Sequence, residues 1–245
     1  MKHLIILLSV LLMSSYSCEI YAQGKVTRKK TETSQSSHPI PKQQMPKETK
    51  GFLNGHEWVD LGLPSGTKWA TMNIGATRPT DEGNYYAWGE TSIPSIIVEN
   101  YDGTRYPNYS RECCRLYGRS MGNISNSSYD VARTKWGEGW MLPEKKDIVE
   151  LEKYCTLDVA KISGIDGYKI TGPNGNSIFF PCTDVRSGSL RPLKGSIDTY
   201  SCYWIGSEYS KEMGELLHLD RMQIGTSSAH DKNVGYAVRA ICRNN

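Results

Sequence analysis

Short runs of alternating hydrophobic and polar residues, separated by Gly, Pro, Asn and Ser, occupy most of the chain after residue 51. Residues 52–63 predict a strand that ends in a Pro-Ser-Gly turn at 64–66, and residues 68–74 predict a second strand. Residues 77–125 show no regular periodicity and are rich in Tyr, Asn, Arg and Ser. The pattern therefore favours a domain of short strands that carries a long irregular segment.

Two segments have the spacing of short helices. The first helix is predicted to begin at Ser127 or Ser128 as its N-terminal cap and to end by Gly137. The second helix opens at Pro143, a favoured first helical position. It places three apolar residues on one face: Ile148, Leu151 and Tyr154.

The remainder of the chain predicts antiparallel β-structure. Residues 168–171 and 177–180 flank a Gly-Pro-Asn-Gly-Asn turn and predict a hairpin. Residues 202–206 predict a further strand, and residues 216–221 and 234–242 predict the last pair. Strands, then two helices, then strands indicate an α+β fold in which the helices pack on antiparallel sheets.

The first residues have the pattern of a secretory signal peptide. Lys2 and His3 precede an apolar run over residues 4–13, which is too short to cross a membrane that needs about 20 residues. We therefore predict an exported protein with no transmembrane segment, whose signal peptide spans residues 1–22. A membrane anchor is the alternative, and lipidation at Cys18 is a further one that the three residues before it disfavour.

Residues 23–50 contain almost nothing to bury, so we predict a disordered tether there. The tether carries seven Lys and Arg residues against two Glu residues, whereas the whole chain has a net charge of +3. The remaining residues, 51–245, are therefore slightly acidic and are predicted to form one domain. A nucleic-acid-binding protein would carry its positive charge on the folded face, so this class of partner is not predicted.

The predicted domain contains six cysteines, and an even number in an exported chain predicts disulfides. Their pairing remains open, and the adjacent pair among them could staple the irregular segment or bridge to each other. No Cys-x-x-Cys spacing indicates a zinc site. The six are Cys113, Cys114, Cys155, Cys182, Cys202 and Cys242.

Five stretches of the sequence resemble one family: "WVDLGLPSGTKWATMNIGA" (58–76), "GNYYAWGET" (83–91), "WGEGWMLP" (136–143), "GYKITGPNGNSIFFP" (167–181) and "GYAVRAICR" (235–243). The chain resembles the Fibrobacter succinogenes major paralogous domain over about residues 56–243. That family is similar in fold to C-type lectin-like domains and to the formylglycine-generating enzyme domain. The resemblance implies two helices packed on twisted antiparallel sheets, and little about activity.

The resemblance to C-type lectins also implies disulfide pairings. A bridge from the second helix to the last strand would join Cys155 to Cys242, and Cys182 with Cys202 is the next pair. The residues themselves predict a packing role for the tryptophans that lie beside glycines in these motifs. These are Trp58, Trp69, Trp136, Trp140 and Trp204.

Neither a calcium site nor a catalytic site has a motif in the sequence. Glu99, Asn100 and Asp102 offer oxygen ligands, but the lectin triplets that bind calcium and sugar are absent, and no cofactor is predicted. No catalytic motif of known spacing occurs, and Cys202 and Cys242 cannot be matched to the reactive cysteines of formylglycine-generating enzymes. The histidines form no motif and are predicted to be surface or hydrogen-bonded residues: His56, His218 and His230.

The Tyr/Arg segment, residues 101–129, is the best candidate for a binding surface. Tyrosines among arginines, asparagines and serines are typical of binding loops, which usually lie on a stable scaffold. The predicted ligand contacts are Trp88, Tyr106, Tyr109, Arg111 and Tyr117. We therefore predict an exported, non-enzymatic module that presents this segment to a carbohydrate or protein ligand. The alternatives are a segment that packs locally, an exported enzyme of the formylglycine-generating type or a hydrolase, and a structural surface subunit.

Overall fold

Antiparallel strands make up most of the folded chain, and two short α-helices accompany them. The computed structural model describes four ranges: 49–99, 103–188, 200–226 and 229–243. These ranges belong to one unit that spans Pro46–Asn245. The predicted signal peptide 1–22, Cys18 and nearly all of the tether 23–50 lie outside the described residues. The coarse prediction of an α+β fold is confirmed.

Among the described residues, the α-helices are α1 (Val131–Trp136) and α2 (Lys145–Tyr154), and a single turn of 3-10 helix covers Arg111–Cys113. The strands in chain order are β1 (Lys50–Leu53), β2 (His56–Asp60), β3 (Lys68–Ala70), β4 (Ile97–Glu99), β5 (Arg105–Pro107), β6 (Trp140–Met141), β7 (Thr156–Ile162), β8 (Ile165–Thr171), β9 (Ser177–Pro181), β10 (Ser201–Glu208), β11 (Met213–Leu219), β12 (Ile224–Gly225), β13 (Ala229–Asp231) and β14 (Ile241–Cys242).

The first sheet joins strands from both ends of the unit, in the order β1-β2-β3-β14-β6. Asn54 and Gly55 connect β1 to β2 with φ angles of 49° and 80°, as a type I′ hairpin turn requires. The prediction of a single strand over residues 52–63 is therefore wrong, because this pair turns the chain back. The Asn54 side-chain amide also donates to the carbonyls of Trp136 and Glu138, which fastens the turn to the end of α1.

The prediction that residues 216–221 and 234–242 form the last pair is also wrong. β11 pairs with β10, β12 and β13, whereas β14 pairs with β3 and β6. Residues 234–240 cross between these sheets, and their carbonyls accept hydrogen bonds from the amides of Ile74, Tyr86 and Trp204. Their apolar character reflects burial on both sides of a crossing segment and not a hairpin.

The other sheets lie later in the chain. β10 and β11 form an antiparallel core pair that β12 and β13 extend, and β7, β8 and β9 form a three-stranded meander. The predicted hairpin over 168–180 is confirmed as β8 and β9. β7 escaped prediction because it is an edge strand with mostly exposed side chains, so its sequence lacks a buried face.

Helix α1 begins at an aspartate and not at either predicted serine. Asp130 is fully buried, and its carboxylate accepts from the amides of Ala132 and Arg133 in the first turn. It also accepts from the amides of Asn126 and Leu142, so one side chain serves four donors. Ser127 and Ser128 precede this cap. Gly137 ends the helix with a φ of 89°, as predicted.

Helix α2 begins at Lys145 and not at the predicted Pro143, because Glu144 is its N-terminal cap and forms a reciprocal capping box with Asp147. Ile148 and Leu151 are fully buried, as predicted. Tyr154 is 39% exposed, so its predicted place on the buried face is wrong. The reason is that Tyr154 is the last helical residue, and two steps of three residues carry it about 120° around the helix from Ile148.

The core contains all five tryptophans for which a packing role was predicted, each at most 8% exposed. It also contains a cation. Arg239 lies in the crossing segment with no exposed surface, and burial lowers the pKa of its guanidinium to about 10. Its donors reach the side chain of Asn73 and the carbonyls of Ala70 and Phe179 at 2.7–3.0 Å.

Replacement of the α1 cap should destabilise the domain far more than replacement of a predicted cap. We expect Asp130→Ala to lower the free energy of unfolding by about 2–4 kcal/mol, because amides that the carboxylate satisfies lose their acceptor in the core. Ser128→Ala, at an exposed position, should change it by less than about 0.5 kcal/mol. Urea unfolding of both variants measures the difference, and equal losses would contradict the assignment of the cap.

Candidate binding surface beside the Tyr/Arg segment

The Tyr/Arg segment is fastened to the domain by buried side chains. Tyr109 is 3% exposed, and its hydroxyl donates to the carbonyl of Tyr85 at 2.8 Å. Its ring packs on Gly235, where a Cβ atom would lie 2.5 Å from the ring. Leu116 packs in the same way on Gly89. Part of this segment therefore folds back onto the core. Local packing of the segment was the alternative to an exposed binding surface that the sequence left open.

Two of the five predicted contact residues are buried and must be corrected. Trp88 is 1% exposed, its indole N–H donates to the carbonyl of Ile205 at 2.9 Å, and its ring fills the space above Gly214. Trp88 and Tyr109 occupy slots made by glycines on remote segments, so neither offers a surface to a ligand. Aromatic residues in an irregular segment were mistaken for exposed ones.

The other three predicted contacts remain at least partly accessible. The Arg111 guanidinium, 62% exposed, pairs with Asp231 at 3.2 Å and lies 4.8 Å over the ring of Tyr117. Tyr106 lies on β5, opposite Val98 on β4. The structure therefore brings Arg111 and Tyr117 into contact and places Tyr106 on a separate two-stranded arm.

The arm and the residues before it expose isoleucines. Strands β4 and β5 pair only with each other among the described residues, and the Glu99 and Arg105 side chains face each other at 3.8 Å. Ile93, Ile96 and Ile97 are 39%, 56% and 44% exposed. These isoleucines are not among the predicted contacts, although three isoleucines within five residues of an irregular segment are a sequence signal for such a patch.

Two of these isoleucines, Ile93 and Ile96, line a groove of about 230 Å³, here named the Ile groove. One wall carries the Glu90 carboxylate, which Arg115 neutralises at 2.8 Å. A backbone amide hydrogen bond and the Ser110 hydroxyl hold the pKa of the Glu112 carboxyl below its usual value. The groove is therefore of mixed character, with apolar side chains on one part of its lining and two carboxylates and two serines on the rest. Its lining consists of Glu90, Ser92, Ile93, Pro94, Ser95, Ile96, Glu112 and Cys113.

All six cysteines of the predicted domain are free thiols in the structure. Cys182 lies beside the Ser201 hydroxyl. Cys202 follows Ser201 on β10, so its side chain points to the face of the sheet opposite to Ser201 and Cys182. Cys155 and Cys242 likewise pack in different parts of the core. The implied Cys155–Cys242 and Cys182–Cys202 bridges are therefore not formed.

The adjacent cysteines also diverge. Cys113 is half-buried at the Ile groove, 3.4 Å from the Ser110 hydroxyl, whereas Cys114 is 5% exposed and points at the carbonyl of Trp88. Burial raises the pKa of the Cys114, Cys155 and Cys242 thiols to about 11. The buried thiols are thus poor nucleophiles.

One cysteine does lie in a row of catalytic residue types. The Cys202 sulfur is 3.8 Å from His218 Nδ1, and His218 Nε2 is 3.0 Å from the Asp220 carboxylate. The ring of Tyr200 stacks on His218. Cys202 is only 3% exposed, however, and burial raises the pKa of its thiol to about 12. In this arrangement the thiol is neither ionised nor open to a substrate.

The remaining histidines have structural partners. His56 stacks on Trp136 with ring centroids 4.1 Å apart, and His230 shares a hydrogen bond of 2.8 Å with the Tyr236 hydroxyl. Burial lowers the pKa of both imidazoles. Within the described ranges, no cluster of three or more His, Cys, Asp or Glu residues could hold a metal ion. Asn100 and Asp102 lie outside those ranges.

Comparison with known protein families, with curated proteins and with solved structures finds no match to this chain. Over the part of the chain that the structure describes, no helix is both long and apolar enough to cross a membrane.

Removal of the Tyr109 ring should cost stability, unlike removal of a ring on the arm. We expect Tyr109→Ala to reduce the free energy of unfolding by about 3–5 kcal/mol, because it empties a closed slot against Gly235. Tyr106→Ala should cost less than about 1 kcal/mol, since Tyr106 lies on a two-stranded arm. Thermal and urea unfolding test this. A Tyr109→Ala variant as stable as the wild type would contradict the packing of Tyr109 in the core.

The cysteines should react in the order of their exposure. In the folded protein, iodoacetamide should modify Cys113 first and leave Cys114, Cys182, Cys202 and Cys242 unmodified, because those four are buried thiols. Six adducts on the domain should appear after unfolding without a reductant. Peptide mass spectrometry measures both, and disulfide-linked peptides containing Cys155 and Cys242 would contradict it.

Proposed function

We propose that this chain is an exported, non-enzymatic module that binds a protein ligand through the Ile groove. The observation that carries the proposal is the exposure of Ile93 and Ile96 in the lining of a groove of about 230 Å³, with the exposed Ile97 next to them in the chain. Monomeric proteins seldom leave neighbouring large apolar side chains exposed around a cavity, and such patches are typical of interaction sites.

The groove suits a protein side chain better than a sugar. Sugars are usually held on exposed aromatic rings, and no aromatic ring of the described residues lines this groove, while two of the four rings predicted as ligand contacts, Trp88 and Tyr109, are buried. A volume of about 230 Å³ accommodates one large side chain. The Glu112 carboxylate at the rim favours a ligand residue that combines an apolar stem with a positive charge, such as Lys or Arg.

The scaffold supports the same proposal. We infer a C-type lectin-like arrangement from the motif resemblance, supported by a first sheet that joins β1 to β14. The base of the segment is rigid, because Trp88 and Tyr109 are locked into the core. A rigid base limits the entropy that the exposed residues lose on binding. Export follows from the predicted signal peptide.

The enzymatic alternative depends on the row formed by Cys202, His218 and Asp220. Its thiol is enclosed and protonated, which makes catalysis a weaker proposal than binding. A binding module needs no such activation.

A photo-crosslinking residue placed in the groove can capture the partner directly and so tests the site while identifying what binds there. Ile96→benzoylphenylalanine should capture one defined protein from the native extracellular milieu, and Val149→benzoylphenylalanine, at a 49% exposed site on α2, should not. The captured protein, once purified, should bind wild type and lose at least about tenfold in affinity with Ile96→Ser, because the groove loses an apolar wall.

Val149→Ser is the matched control and should leave the affinity unchanged. Identical crosslinks from positions 96 and 149, or a partner whose affinity is insensitive to Ile96→Ser, would contradict the proposal. Thermal unfolding of each variant confirms that the fold is retained.

A further inference from the structure

A second site lies on the β10–β11 sheet, where the start of α2 meets it. The Lys145 amide donates to the Ser207 hydroxyl on β10 at 3.0 Å, and its ammonium pairs with Glu215 on β11 at 2.8 Å. Both backbone and side chain of Lys145 are therefore tied to the sheet. A cavity of about 70 Å³ opens beside this pair, lined by Lys145, Tyr209, Glu215, Thr226 and Ala229.

One oxygen of the Glu215 carboxylate lacks a donor among the described residues. Glu215 is 9% exposed, one of its oxygens accepts from Lys145, and the other, Oε2, is buried and accepts from no described residue. Buried carboxylate oxygens almost always accept hydrogen bonds, because water is no longer available to them. A buried acceptor without a donor, beside a cavity, indicates a place for a donor from a ligand.

The surrounding groups define the chemistry of that ligand. Lys145 is 57% exposed at its side chain and keeps donors that Glu215 does not use. Thr226 supplies a hydroxyl that can donate or accept. An acceptor next to a donor matches two neighbouring hydroxyls, one of which donates to Glu215 while the other accepts from Lys145. The ring of Tyr209, which is 67% exposed at the cavity, offers a face for stacking.

We propose that this cavity is a saccharide site that recognises a vicinal diol of a neutral hexose. About 70 Å³ admits one hydroxylated edge of a pyranose ring, and the remainder of the ring would rest on Tyr209. Because Glu215 Oε2 is buried, the site requires the side chains around it to shift before a sugar hydroxyl can reach it. The site needs no metal ion, and it is independent of the Ile groove.

Saturation-transfer NMR on the mature chain tests the site with methyl α-mannoside, methyl β-galactoside and methyl β-glucoside as probes. At least one should bind in the presence of EDTA. We expect Tyr209→Ala and Glu215→Gln each to weaken that binding at least about fivefold. Tyr209→Phe should retain binding, because it keeps the stacking face.

Tyr200→Ala and Glu212→Gln are matched controls at accessible positions outside the cavity, and neither should alter the affinity. If Glu215→Gln fails to fold, Tyr209→Ala and Thr226→Val carry the test alone. The proposal is overturned if none of the three glycosides binds, or if the cavity variants and the controls lose affinity equally. Ile96→Ser should leave sugar binding intact, so failure here is distinguishable from failure of the protein site.

Discussion

The buried guanidinium of Arg239 is the constraint on which the rest of the domain depends. A cation removed from water costs several kcal/mol unless its donors are satisfied. Here they are satisfied by the side chain of Asn73, by the carbonyl of Ala70 at the end of β3, and by the carbonyl of Phe179 in β9. The guanidinium also lies 4.4 Å over the ring of Phe180. Three remote segments must therefore be in place together, which couples the first sheet to the meander.

The crossing segment 234–240 extends this coupling to the base of the Tyr/Arg segment. Its carbonyls accept from Ile74, Tyr86 and Trp204, and Gly235 provides the slot for Tyr109. At the other end of the irregular region, Asp130 gathers four amides around the start of α1. The arm of β4 and β5 lies between Tyr86 and Tyr109, and the crossing segment holds both of these residues, so the chain between them can leave the core.

The sequence predicted what depends on local order. The buried tryptophans, the stop at Gly137 and the hairpin of β8 and β9 follow from a residue type and its immediate neighbours. The cap of α1 cannot be read from its neighbours in the same way, because Ser127, Ser128 and Asp130 could each accept the hydrogen bonds of the first turn. Asp130 is the cap because its carboxylate also accepts from the amide of Leu142, twelve residues later, and because burial favours one acceptor that serves several donors.

Contacts between remote residues explain the errors at the candidate site. Trp88 is buried because Gly214 leaves room for it, and a sequence does not show which glycine faces which ring. The cysteines were paired by analogy with another family, whereas alternation along β10 turns Cys202 away from Cys182. The isoleucines of the groove have no periodicity, so their clustering in an irregular segment is the one signal that the sequence offers for their exposure.

Two Lys–Glu pairs, whose glutamates lie on neighbouring strands, differ in how many of their carboxylate oxygens accept hydrogen bonds. This difference distinguishes a structural pair from one that can bind a ligand. Glu208, on β10, pairs with the buried ammonium of Lys232 and also accepts from the Ser120 hydroxyl and from the amides of Met121 and Gly122. Every acceptor position on that carboxylate is used, and its role is to hold the chain before Ile124 against the sheet. Glu215, seven residues later on β11, has one partner and one idle oxygen. Both pairs join a lysine to a glutamate of the same sheet, so they differ only in the other donors that reach the carboxylate. Backbone amides satisfy Glu208, whereas the remaining oxygen of Glu215 is left for the donor of the proposed ligand.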